Sequence, residues 1–143
     1  NSDDYPDIIL TYLSNVPIND LYLFDPKTKA YREIDNMQEF PEAKRLESND
    51  SLYYSYQRAG CADMKWISHL FKIKNDTATK IGTIHGQGCE NDTRQKIEIL
   101  NVVTLDKIYV IETLPIDTIT EFQDYKWGFI KDYWNNNFEK FEK

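Results

Sequence analysis

The stretch KWISHLFKIKNDTATKIGTIHG, residues 65–86, decides the architecture. Residues 65–74 and 79–84 are rich in β-branched and aromatic side chains and flank the polar Asn75-Asp76-Thr77. Two apolar runs around so short a polar break read as a β-hairpin. The same pattern recurs on both sides. Residues 21–24 and 31–34 flank Asp25-Pro26-Lys27-Thr28, where Pro26 presets the φ of a turn. Residues 96–103 and 107–113, heavy in Ile and Val, form a further hairpin, and residues 52–57 read as one more, aromatic strand. Strands joined by such short connections are antiparallel.

The two ends carry a helical pattern instead. Asp4-Tyr5-Pro6-Asp7 offers an acidic cap and a proline in the first turn, and Ile8, Ile9, Tyr12, Leu13 and Val16 follow at helical spacing until Pro17. Residues 41–46 suggest one short helix. Near the C-terminus, Thr118-Ile119-Thr120-Glu121 matches a capping box, in which hydroxyl and carboxylate each satisfy a backbone N–H of the first turn. Phe122, Tyr125, Phe129, Ile130 and Tyr133 then form an aromatic stripe of the kind that packs on a sheet. The expected class is α+β: an antiparallel sheet of about seven strands, with a short N-terminal helix and a long C-terminal helix packed on it. An all-β barrel or sandwich with an appended helix is the alternative.

The chain has 143 residues, the size of one domain, here residues 1–143 with residues 1–4 as a flexible tether. Aromatics make up 14% of it, which excludes a disordered chain. The net charge is −7 and the pI about 4.8. The densest basic stretch is Lys44-Arg45, so the chain lacks the clustered Lys and Arg that nucleic acid or an anionic membrane surface requires, and its field favours a basic partner. No apolar run approaches the ~20 residues of a transmembrane helix. The sequence starts at Asn1 rather than Met, as after removal of a signal peptide or of a lipoprotein leader, which would leave a lipid anchor at the N-terminus. A cloning boundary gives the same start.

The two cysteines, Cys61 and Cys89, lie outside the hairpin centred on Asn75-Asp76. With those two residues as the loop, Cys61 and Cys89 fall within one residue of facing each other across its open end. Gly86 and Gly88 offer a bulge to absorb the offset. Antiparallel neighbours place Cα atoms about 4.5–5.5 Å apart, inside the disulfide range of about 4.4–6.8 Å. A bridge closing nearly thirty residues is worth about 3.5 kcal/mol in the chain-entropy account. It implies an oxidising compartment, periplasmic, outer-envelope or extracellular. Asn-Asp-Ser/Thr at Asn49, Asn75 and Asn91 reads as turn chemistry, and also as a glycosylation acceptor in a eukaryotic secretory chain.

Other chemistry fares worse. Cys61, His69, His85 and Cys89 are zinc-ligand types, but eight residues of strand separate Cys61 from His69 by about 26 Å, too far for one tetrahedral site. No metal or cofactor is expected. Cys89 after Gln87-Gly88, with His85 nearby, superficially resembles a thiol nucleophile, yet a glycine-rich loop before a strand supplies no helix N-terminus to activate it. Phosphate-loop, dinucleotide, nucleophile-elbow and EF-hand motifs are absent. In residues 52–57, alternation directs Leu52, Tyr54 and Tyr56 to the core and Tyr53 outward, where a tyrosine offers a protein- or sugar-binding contact. The expected function is therefore an exported, non-enzymatic protein binding a macromolecule, a basic protein in particular: an envelope lipoprotein, an inhibitor or an immunity-type protein. The alternatives are a small hydrolase using carboxylates or Cys89, and a ligand-binding module with a pocket between sheet and helix.

Overall fold

The computed structural model describes residues 5–13, 17–89, 94–104 and 106–142. The expected 1–4 tether, Val16 and the Asn91 acceptor lie outside the described residues. The class is α+β, as expected, with ten strands in two antiparallel sheets and one long C-terminal helix among the described residues.

The hairpin at the centre is the one read from the sequence. Strands β7 (Lys65–Lys74) and β8 (Thr77–Gln87) pair from Lys74↔Thr77 outward. Asn75 and Asp76 both have positive φ, 52° and 59°, the type I′ geometry whose twist matches that of the flanking strands. Next to β8 runs β9 (Lys96–Thr104), then β10 (Lys107–Pro115) at the edge. On the other side of β7 lie β5 (Leu52–Tyr54), with β4 (Lys44–Arg45) beyond it, and β6 (Gln57–Gly60).

The second sheet differs from expectation. Residues 8–12 form a strand, β1 (Ile8–Tyr12), not a helix, and pair with β2 (Ile18–Asp25), which pairs in turn with β3 (Ala30–Glu33). IILTY fits both a helical and an alternating pattern; three β-branched residues in five and the neighbouring β2 edge decide for the strand. The Asp25-Pro26-Lys27-Thr28 turn forms as expected, with Asp25 Oδ1 accepting from Lys27 N at 2.9 Å. Residues 41–46 are not helical: a single 3-10 turn, Met37–Glu39, precedes them, and Lys44–Arg45 is the edge strand β4.

The large sheet is covered on both faces. On one lies α1 (Lys126–Asn137), whose Phe129, Ile130, Tyr133 and Trp134 are buried with Trp66, Leu70, Ile84, Ile97 and Ile99. Trp134 is wholly buried, and its indole N–H donates to Ser68 Oγ at 2.8 Å. Ser68 Oγ donates in turn to the Ser55 carbonyl at 2.6 Å. On the other face, Phe71 and Ala78 pack with Ile34, Met37 and Phe40, and with Leu21 and Leu23 of β2. The capping box does not start α1. Residues 116–121 form a 3-10 stretch in which Thr120 Oγ1 donates to the Asp117 carbonyl, and the helix begins behind Tyr125 at φ 52° without a side-chain cap. No helix among the described residues is long and apolar enough to cross a membrane.

Gly86 is not the bulge expected of it. It pairs in register with Trp66, and the indole lies flat across it: a Cβ at Gly86 would stand 2.0 Å from Trp66 Cε2. Gly86→Ala should therefore cost about 3 kcal/mol by overpacking, read as a lower denaturation midpoint with altered Trp fluorescence.

Candidate functional site

The open end of the central hairpin is where backbone, charge and exposed aromatics converge. β6 runs back along β7, and the chain reverses between them through Gly60, Cys61, Ala62 and Asp63, at φ 109°, 58°, 50° and 71°. Glycine suits the first position. The other three are non-glycine residues in the left-handed region, which costs of order 1 kcal/mol each and persists only when the surroundings enforce it. The disulfide between Cys61 and Cys89, Cα atoms 6.1 Å apart, is one such constraint. Backbone bonds from Met64 N to the Cys61 carbonyl and from Gly88 N to the Met64 carbonyl, both 3.0 Å, are others.

The cysteines meet by a different route from the one expected. The register slips at Ile81, between Phe71↔Lys80 and Leu70↔Gly82, because Ile81 tucks into the core beneath α1. That bulge moves the two chains in the opposite sense to the one needed, and Gly86 and Gly88 do not compensate. The left-handed turn at residues 61–63 carries Cys61 back to Cys89.

Asp63 closes the turn. Tyr56 OH donates to its Oδ1. Lys126 Nζ reaches Oδ2 at 2.5 Å and the Asp63 carbonyl at 2.9 Å. Burial alone pushes the Asp63 carboxyl up, but the bonds from Lys126 and Tyr56 outweigh it and hold the group below its ordinary 3.8. Burial and the Asp63 carboxylate push the Tyr56 phenol up. The Lys126 ammonium also lies over the rings of Tyr56 and Trp127, 5.6 and 5.4 Å from their centroids. Asp124 and Tyr125, φ 64° and 52°, form a second left-handed pair just before α1. Between the two turns opens a cavity of about 420 Å³ lined by Met64, Trp66, Ile116, Ile119 and Trp127, among others. Met64, Tyr125 and Trp127 are exposed at its rim.

Asp63 is engaged by two donors, and Cys89, held in a disulfide, cannot supply a thiolate. The residues of zinc-ligand type are otherwise engaged: the cysteines bond each other, and His69 is buried with Nδ1 3.0 Å from Thr83 Oγ1 and its ring edge-on to Phe40. Burial pulls the His69 pKa down to about 3. Among the described residues, no three of His, Cys, Asp or Glu stand close enough to hold a metal.

Tyr53 does not face open solvent. Its ring stacks on Phe71, centroids 5.5 Å apart, within the second core. It lines a narrower cleft, about 230 Å³, with Ile9, Leu21, Leu23 and Ile73. Alternation fails beyond it because Ser55 and Tyr56 are both buried where the chain bends from β5 to β6. Space directly beneath α1 is filled by Trp66, Phe129 and Trp134; the cavity lies beside the first turn of the helix, at Lys126 and Trp127. Lys126 and Asp63 escape sequence reading, since their pairing joins residues 63 apart. Tyr125-Lys126-Trp127, two aromatics around a cation, is the local signal that marks the place.

No protein-family profile matches the chain, and no curated protein matches it. A solved structure described as a Xanthomonas type IV secretion system related protein superposes with a TM-score of 0.58 at 17% identity, over 78% of this chain and 55% of that one. At that identity the likeness is one of fold, and the match spans about half the length of the other protein.

Two outcomes follow for this end of the molecule. The native protein should show no titratable thiol, and Cys61→Ala with Cys89→Ala should cost about 3 kcal/mol in chemical denaturation. Because the Asp63 pKa is lowered by folding, its contribution is complete above pH 3.8 and is lost as the pH falls below that value. Asp63→Asn should cost about 2 kcal/mol at neutral pH and flatten the acid limb of the stability profile.

Proposed function

We propose that this chain is an exported, non-enzymatic binding protein that engages a basic protein, in the manner of an envelope lipoprotein, an inhibitor or an immunity-type protein neutralising a basic cell-wall enzyme. The observation that carries the reading is the disulfide-braced cavity rimmed by Met64, Tyr125 and Trp127. Interfaces are enriched in Met and aromatic residues, and their energy concentrates where such anchors surround a desolvated pocket. The left-handed turns on either side present those side chains on a rigid backbone, which lowers the entropy lost on binding. The net charge of −7 favours a basic partner and a fast, salt-sensitive encounter. The disulfide suits an oxidising compartment, and the described likeness to a secretion-system-related protein is in keeping with export.

Immobilised full-length protein, exposed to an envelope or extracellular extract of the producing organism, should retain a protein of basic pI that elutes with salt. Trp127→Ala should weaken that complex by about thirtyfold in calorimetry with the purified partner. Retention of no protein, or of one that binds Trp127→Ala as well as wild type, would overturn the reading.

A further inference from the structure

A three-stranded antiparallel sheet with one face on a core is ordinarily polar on the other. The β1–β2–β3 sheet is not. Its inner face supplies Leu21 and Leu23 to the second core. The register puts Ile8 opposite Tyr22, Leu10 opposite Asp20, Tyr12 opposite Ile18 and Phe24 opposite Tyr31, all on the outer face. Ile8, Leu10, Tyr12, Ile18 and Tyr31 are exposed there. A largely apolar, aromatic surface on a monomer marks an interaction site.

The charges on that face have one sign. Asp20 sits among the aromatics, and Glu33 lies opposite Tyr22. Asp20 accepts from Gln38 Nε2 at 2.7 Å, and its carboxylate keeps the neighbouring Tyr12 phenol protonated above its ordinary range, chiefly through their hydrogen bond. The basic residue of these strands, Arg32, stands opposite Leu23, on the other face, where it binds Asp76 at 2.8 Å. A second copy of the chain would bring Asp20 and Glu33 against their like and add two net charges of −7. An anionic lipid surface meets the same repulsion.

We infer that the outer face of the β1–β2–β3 sheet is a second docking surface, separate from the cavity beside the disulfide, and that it takes a basic protein surface rather than another copy of this chain. The aromatic rings provide apolar area and stack on arginine side chains, and Asp20 and Glu33 pair with the guanidinium groups. The basic nature of the partner rests on the proposed function; the location does not.

The test uses the full chain and nona-arginine as a probe, followed by backbone amide NMR. The largest shifts should fall in residues 8–12 and 18–24. Asp20→Asn with Glu33→Gln, and separately Tyr12→Ala with Tyr22→Ala, should each weaken binding by at least about fivefold without altering the melting temperature by more than a few degrees. Sedimentation of the wild type at about 100 µM should show a monomer. Shifts spread evenly or centred elsewhere, affinities unchanged within about twofold, or a dimer abolished by the tyrosine pair of substitutions would each overturn the inference. A salt-eluting partner that is lost with Trp127→Ala but kept with both sheet variants would leave the proposed function standing and remove this surface from it. Mapped shifts on the sheet with no partner retained from the extract would do the reverse.

Discussion

The hydrogen-bond relay from the Trp134 indole through Ser68 Oγ to the Ser55 carbonyl holds the layers together. It is wholly buried, so each of its polar atoms must find a partner in the protein. Trp134 fixes the rotation of α1 on the sheet, and Ser68 sits mid-strand in β7. Ser55 marks the bend that divides one aromatic segment into β5 and β6. Without that bend, β6 would not run back along β7, and the turn carrying Cys61 and Asp63 would not reach Cys89 and Lys126.

Strain and constraint then balance at the open end of the hairpin. Six non-glycine or glycine residues with positive φ, four in residues 60–63 and two in 124–125, lie on either side of one cavity. The disulfide, the Asp63–Lys126 pair and the tilted ring contact of Trp127 with Tyr56, centroids 3.8 Å apart, supply the constraint. Lys126 serves twice, as ion-pair partner and as the cation over two rings. The result is a set of exposed aromatic side chains on a backbone with few alternatives open to it.

Much of this was legible in the residues. The 65–87 hairpin announced itself because alternation, β-branching and the Asn-Asp turn agree. Six of the seven expected strands are present as single strands, and the seventh, residues 52–57, breaks at Ser55 into β5 and β6. The aromatic stripe of the last helix was visible because Phe129, Ile130 and Tyr133 share a face, although its start was misplaced: a capping-box pattern describes local bonding, and here the neighbouring 3-10 stretch took it up. The first segment is a strand and not the expected helix because five residues, IILTY, satisfy two periodicities and only the adjacent strand chooses between them. Alternation places Tyr53 on the face opposite Leu52 and Tyr54, as expected, but the second sheet covers that face and leaves no trace in the pattern of residues 52–57.

What the sequence determined by itself were the quantities that depend on neighbours along the chain: strand periodicity, the short polar turn at Asn75-Asp76, the acidic balance and the partnership of Cys61 with Cys89. Only the tertiary structure decided the packing of two sheets on one another, the slip at Ile81, the left-handed passage through residues 61–63 and the meeting of Asp63 with Lys126. These rest on contacts between residues far apart in the chain, whose free energy comes from burial and pairing across layers, and no local pattern encodes them. The pair of cysteines stands on the boundary. Their partnership could be read from spacing, but the path that joins them belongs to the fold.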